Sequence, residues 1–232
     1  MIIVHINTQH DTDIMSCIYD GLTADNGHIV MQNPTRQEVE DMLKAHPTMP
    51  ALFLGHGSSQ GLFAPQGGFI IDENNVELLR DREVIGIWCY ARRFGEQHNL
   101  RGFFTDMFVS NSGEAGWFGF VGHKDEDEDD DDFYLYEDED DDTCEAEDDD
   151  YDYDWSGGMQ TYLFEGWREK AEQRIQAMQS RIDEQNVYFC NQINNLIKEE
   201  KEPNEWIECL NYDPTIDYVF FNYSHMTYLW GY

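Results

Sequence analysis

The sequence predicts an α/β domain: a mostly parallel sheet with helices on both faces. Three observations carry this. Five short, mostly apolar runs recur along residues 2–6, 28–31, 51–55, 84–89 and 103–110, as expected of strands buried on both faces. Polar stretches with helical spacing lie between them, as at residues 36–45 and 75–80. Near the end of the chain a long amphipathic stretch precedes a final aromatic run. Strand and helix alternation of this kind makes a three-layer α/β/α arrangement.

The elements follow in order. "IIVHI" (2–6) has no basic leader and is too short for a signal peptide, so it reads as a first buried strand. "HIVM" (28–31) is the second strand, and the helix 36–45 opens after Pro34-Thr35. "ALFLG" (51–55) is a third strand, and "GLFAPQGGFIID" (61–72), with Pro65 and Gly67-Gly68 at its centre, predicts a small hairpin. "VIGIWC" (84–89) and "FFTDMFVS" (103–110) are the next strands. Trp167, Ala171, Ile175, Met178, Ile182, Phe189, Ile193 and Leu196 recur at three- and four-residue steps, the mark of an amphipathic helix. Unbroken, it would be about 60 Å long at 1.5 Å per residue. The expectation is a break near residues 183–186, or a helix that projects to meet a partner. "IDYVFFNYSHMTYLWGY" (216–232) supplies a closing strand.

Length and charge bound the function. A chain of 232 residues supports one sizeable core. With 14 basic and 48 acidic residues the net charge is −34, which repels nucleic acid and anionic membranes, so no direct nucleic-acid or membrane binding is expected. No stretch approaches the roughly 18 apolar residues of a membrane helix. Residues 124–154 hold 21 of the acids and one base, a net of −20, leaving −14 for the other 201 residues. Such a run cannot bury enough apolar surface to order itself and reads as a solvated low-complexity insertion. The organisation expected is an α/β core at 1–123, the acidic loop at 124–156, and a helical segment with a final strand at 157–232 completing the same domain. The Asp spacing from Asp125 fails as an EF-hand, with Asp130 where glycine is needed and Tyr136 where a bidentate glutamate is needed. The loop could instead serve as a decoy for a basic protein surface. Cysteines at 17, 89, 144, 190 and 209 stand singly, fitting a reduced, cytoplasmic setting.

Two readings compete at "LGHGSSQG". Gly57-Ser58-Ser59-Gln60-Gly61 matches G-x-S-x-G, but a nucleophile elbow needs a helix immediately after it, and Leu62-Phe63-Ala64-Pro65 cannot start one. The alternative is His56 as a base. Cys89 also ends a buried-strand run, and strand carboxyl ends are where open α/β sheets build sites. An imidazole beside a thiol can take or balance its proton, and Gly55 and Gly57 allow close backbone approach.

Hydrophobic strand, His-Gly-Ser, a hairpin within about thirty residues, hydrophobic strand and Cys together resemble the caspase-like cysteine peptidases of clan CD. The resemblance covers roughly residues 1–115 and the closing strand. It implies a catalytic dyad of His56 and Cys89, an oxyanion hole from the N–H groups of Gly57 and Cys89, and no metal or cofactor. "FVSNSGEAGWFG", with Ser110 and Glu114, falls where family members build pocket walls, and Arg92 follows the nucleophile closely; Glu114, Asp106 and Arg92 are the candidate substrate contacts. The sequence departs from the family at Trp88, where a small residue is common, and "WCYARRFG" lacks the caspase pentapeptide. A bulky Trp88 bears on the shape of the specificity pocket.

The expected function is therefore a cysteine endopeptidase acting on polypeptides. The alternative is a catalytically inactive caspase-like binding protein whose acidic loop, residues 125–154, engages a basic partner or mimics nucleic acid.

Overall fold

The computed structural model describes residues 1–7, 12–106, 108, 160–210 and 226–231. The acidic insertion and Glu114 lie outside the described residues. The chain divides into two units, Met1–Phe120 with Ala177–Tyr232, and Val121–Gln176.

In the first unit the strands are β1 (Ile2–His5), β2 (Ile29–Gln32), β3 (Ala51–Leu54), β4 (Gly57–Ser58), β5 (Gly61–Phe63), β6 (Phe69–Ile71), β7 (Val84–Ile87), β8 (Arg101–Thr105) and β9 (Met226–Trp230). Six of them form one sheet in the order β2-β1-β3-β7-β8-β9, parallel except for the antiparallel edge strand β9. Every residue of β1, β3 and β7 is buried, which is why these runs, His5 apart, carry no polar side chain and do not alternate.

Helices α1 (Arg36–Ala45) and α2 (Ala91–Gln97) cover one face, and the later turns of α3 (Gln160–Lys198) cover the other, joined there by α4 (Trp206–Cys209). α1 starts where it does because Thr35 and Glu38 cap each other: the Glu38 N–H donates to Thr35 Oγ1 at 3.3 Å and the Thr35 N–H to Glu38 Oε2 at 2.8 Å. Val39 and Leu43, one turn apart, point its apolar stripe into the core; each such burial stabilises by about 1.5–3 kcal/mol.

α3 corrects one expectation. It runs from Gln160 to Lys198 without a break near residue 183. Nothing there ends a helix: the stretch has neither proline nor glycine, Gln179 Nε2 donates to Asp183 Oδ1 one turn on at 2.8 Å, and Gln185 and Asn186 are buried. Further along, the buried Asn194 donates to the carbonyls of Ile18 (2.8 Å) and Asp20 (3.1 Å), pinning the 3-10 turn Asp13–Tyr19 to the helix. β8 also begins earlier than its apolar run, at Arg101, because Gly102 allows the backbone to pass close to β7.

The expected hairpin is present as β5 and β6, extended by β4 into a separate three-stranded sheet. Asp72, just after β6, holds it to α1 through a bidentate pair with Arg36 at 2.7 and 2.8 Å. That guanidinium, with added bonds from Asn74, lowers the Asp72 carboxyl to about 2.

At the carboxyl end of β1, His5 is buried in a polar chain of fixed direction. Its Nε2 must donate to the Thr12 carbonyl (3.1 Å), so Nδ1 accepts from Tyr19 Oη–H (2.9 Å), and that hydroxyl accepts from Gln32 Nε2 (3.0 Å). Burial lowers the His5 pKa, against a smaller opposing pull from Thr12 and Asp13. The unfolded chain therefore takes up this proton first, and stability is lost as pH falls below about 6.5. His28 and His98 are lowered by burial too and act in the same direction. His5→Gln cannot titrate, so the stability advantage of the native protein over it should shrink between pH 7.5 and 5.5 in urea titrations. Parallel curves would exclude His5 as a contributor.

Candidate active site at the carboxyl edge of the sheet

β3 and β7 are adjacent, parallel and in register, with Ala51 opposite Val84 and Leu54 opposite Ile87. The Gly55 N–H reaches the Ile87 carbonyl at 3.4 Å. His56 and Cys89 each stand two residues past this last pair, so the register brings them to the same edge on neighbouring strands, which are about 4.8 Å apart. Both are half-buried.

Each is fixed locally. The His56 carbonyl accepts from the Phe63 N–H at 2.9 Å, tying the histidine to the small sheet. Gly55, at φ +143°, has no room for a side chain, since a Cβ would lie 2.7 Å from the Ile6 carbonyl oxygen. Past Cys89, Tyr90 adopts the left-handed region at φ 64° and starts α2. A non-glycine residue there costs energy and is held by its surroundings. Its N–H donates to the Asp106 carbonyl, and its ring carries the Arg93 guanidinium at 4.8 Å. The Cys89 thiol makes a long contact of 3.8 Å to the Phe108 carbonyl.

The serine reading fails on geometry. Gly57-Ser58 and Gly61-Leu62-Phe63 are antiparallel strands, Gly57 opposite Leu62, with Ser59-Gln60 as the connecting turn. Ser59, the serine of the pattern, stands in that turn, and a strand rather than a helix follows it.

Of the candidate substrate contacts, Asp106 and Arg92 meet at this edge. Asp106 follows β8, and its carboxylate lies 3.9 Å from Arg92 Nη1 and 4.0 Å from Arg93 Nε. At these separations the charges attract without a hydrogen bond, and Asp106 Oδ1 is buried with no such partner among the described residues. Arg92 Nε is engaged more closely by Glu96, at 2.9 Å.

Trp88, where the sequence departs from the family pattern, turns inward. Alternation along β7 sends residues 84, 86 and 88 to the same face, so the indole enters the core and is fully buried. It lies under the histidine loop, where a Cβ on Gly57 would fall 2.1 Å from its Cδ1, and Nε1 donates to the Ser58 carbonyl at 3.1 Å. The only hint of this contact in the sequence is a pair of glycines, Gly57 and Gly86, remote from each other along the chain.

Among the described residues no helix is long and apolar enough to cross a membrane. No family model matches the chain, and no curated protein matches it.

Proposed function

We propose that the chain is a cysteine endopeptidase of caspase-like type. The register of β3 and β7, which carries His56 and Cys89 to one edge of the sheet, is the observation that supports this most directly. The Cys89 thiolate attacks the scissile carbonyl carbon, and the carbonyl π electrons move to oxygen. The N–H groups of Gly57 and Cys89 receive that oxyanion. The protonated His56 gives its proton to the leaving amine as the C–N bond breaks, and a water activated by the same imidazole releases the acyl group. The substrate is a polypeptide, with Asp106 and Arg92 on its path. Glu114 is a third contact of this reading.

The test is a fluorogenic peptide library under reducing conditions, comparing the native protein with Cys89→Ala and His56→Ala. Each variant should lose about 10³-fold or more in kcat/KM with its circular dichroism unchanged. A native protein that cleaves nothing would shift the reading to a binding domain whose acidic segment meets a basic partner.

A further inference from the structure

The contacts of Trp88 bear on both members of the dyad. On one side its indole Nε1 donates to the Ser58 carbonyl, two residues beyond His56, and its five-membered ring lies directly under Gly57. On the other side, the Trp88 carbonyl accepts from Thr105 Oγ1 at 3.1 Å and from the Ala91 N–H at 3.2 Å, fixing the backbone from which Cys89 projects. Beneath, the six-membered ring covers Gly86, where a Cβ would come within 2.6 Å of Cζ3, and Phe94 meets it edge-on at 5.8 Å. The indole is fully buried among these contacts. One side chain joins the histidine loop to the cysteine strand.

We propose that Trp88 is a positioning residue that sets the separation of His56 from Cys89 and holds the Gly57 N–H toward the oxyanion. It replaces a function a small residue cannot perform, since a methyl group at this position could neither reach the Ser58 carbonyl nor support Gly57. The proposal rests on the dyad reading above. A misplacement of about 1 Å in such a pair costs about 100-fold in rate, so the effect belongs in kcat, with KM nearly unchanged.

The experiment reads the dyad without any substrate. Alkylation of Cys89 by iodoacetamide is followed from pH 5 to 9, with the Cys89 peptide quantified by mass spectrometry to separate it from the other cysteines. Four proteins are compared with the native one: His56→Ala, Trp88→Phe, Ser58→Ala, and a protein carrying benzothienylalanine at 88, which keeps the indole shape and lacks its N–H. Trp88→Phe and the benzothienyl protein should slow Cys89 alkylation near pH 6.5 by about tenfold, approaching His56→Ala, as thiolate character is lost. Ser58→Ala keeps the backbone carbonyl and should stay within about twofold. If Trp88→Phe fails to fold, the benzothienyl protein decides alone. Alkylation in both Trp88 variants equal to native, with His56→Ala slowed, overturns the positioning role and leaves the dyad standing. Native rates in His56→Ala remove the dyad, and this inference with it.

Discussion

Gly102→Ala should destabilise the protein by about 4 kcal/mol or more, at the far end of the range for single substitutions. Gly102 sits in β8 between two partners, opposite Val84 of β7 and Leu229 of β9. Its φ of +148° is closed to side chains, and a Cβ would lie 1.7 Å from the Val84 carbonyl oxygen and 2.7 Å from its carbon. That obstacle is backbone within the sheet, so it cannot rotate away. The strand must separate from β7 at its first pair. For a chain of this size the loss corresponds to a midpoint lower by roughly 8–16 °C. Gly27→Ala is the control: its φ of +83° is also left-handed, but nothing lies within 4 Å of the added carbon. It should cost only about 1 kcal/mol. Equal melting temperatures for the two variants would remove the steric explanation.

Arg82→Met should cost about 3–5 kcal/mol. Arg82 is 2% exposed, and its guanidinium is spent on carbonyls: Nε to Leu78 at 2.9 Å, Nη1 to Met49 at 3.0 Å, Nη2 to Leu43 at 2.8 Å. Those carbonyls belong to the 3-10 turn Val76–Leu79, to the approach to β3, and to the last turn of α1. Methionine fills the volume and leaves all three acceptors without this donor, each at about 1–3 kcal/mol, partly offset because a cation is no longer buried. Arg82→Lys, a point donor on a flexible stem, should recover only part of the loss. Urea unfolding measures both. Arg82→Met within 1 kcal/mol of native would show that the carbonyls find other donors.

What was legible in the sequence follows from burial. β1, β3 and β7 are apolar apart from His5 because both faces are covered, so the runs themselves announce the strands. His56 and Cys89 could be paired because each follows such a run directly. α2 could not be read: it has only seven residues, three of them charged, and begins at a left-handed tyrosine with no side-chain cap. The continuity of α3 was hidden because polar residues at 183–186 mimic a break when their partners and burial are unknown. The direction of Trp88 depended on strand alternation, and its role on Gly57 coming to lie against it across the site. Neither is a property of local sequence.

The pairing of β8 with β9 has a consequence for evolution of the chain between them. Thr105 is opposite Met226, so closing this edge of the sheet joins residues separated by 226 − 105 = 121 positions. Closure entropy grows only logarithmically with such a length, by about 0.6 kcal/mol for each doubling. Removing thirty residues from the interval would therefore change the cost of closure by only about 0.3 kcal/mol. Outside α3 and α4, whose buried side chains belong to the core, the interval between these strands is a place where sequence can lengthen, shorten or accumulate charge at almost no thermodynamic penalty from chain closure, and the run of acids stands inside it.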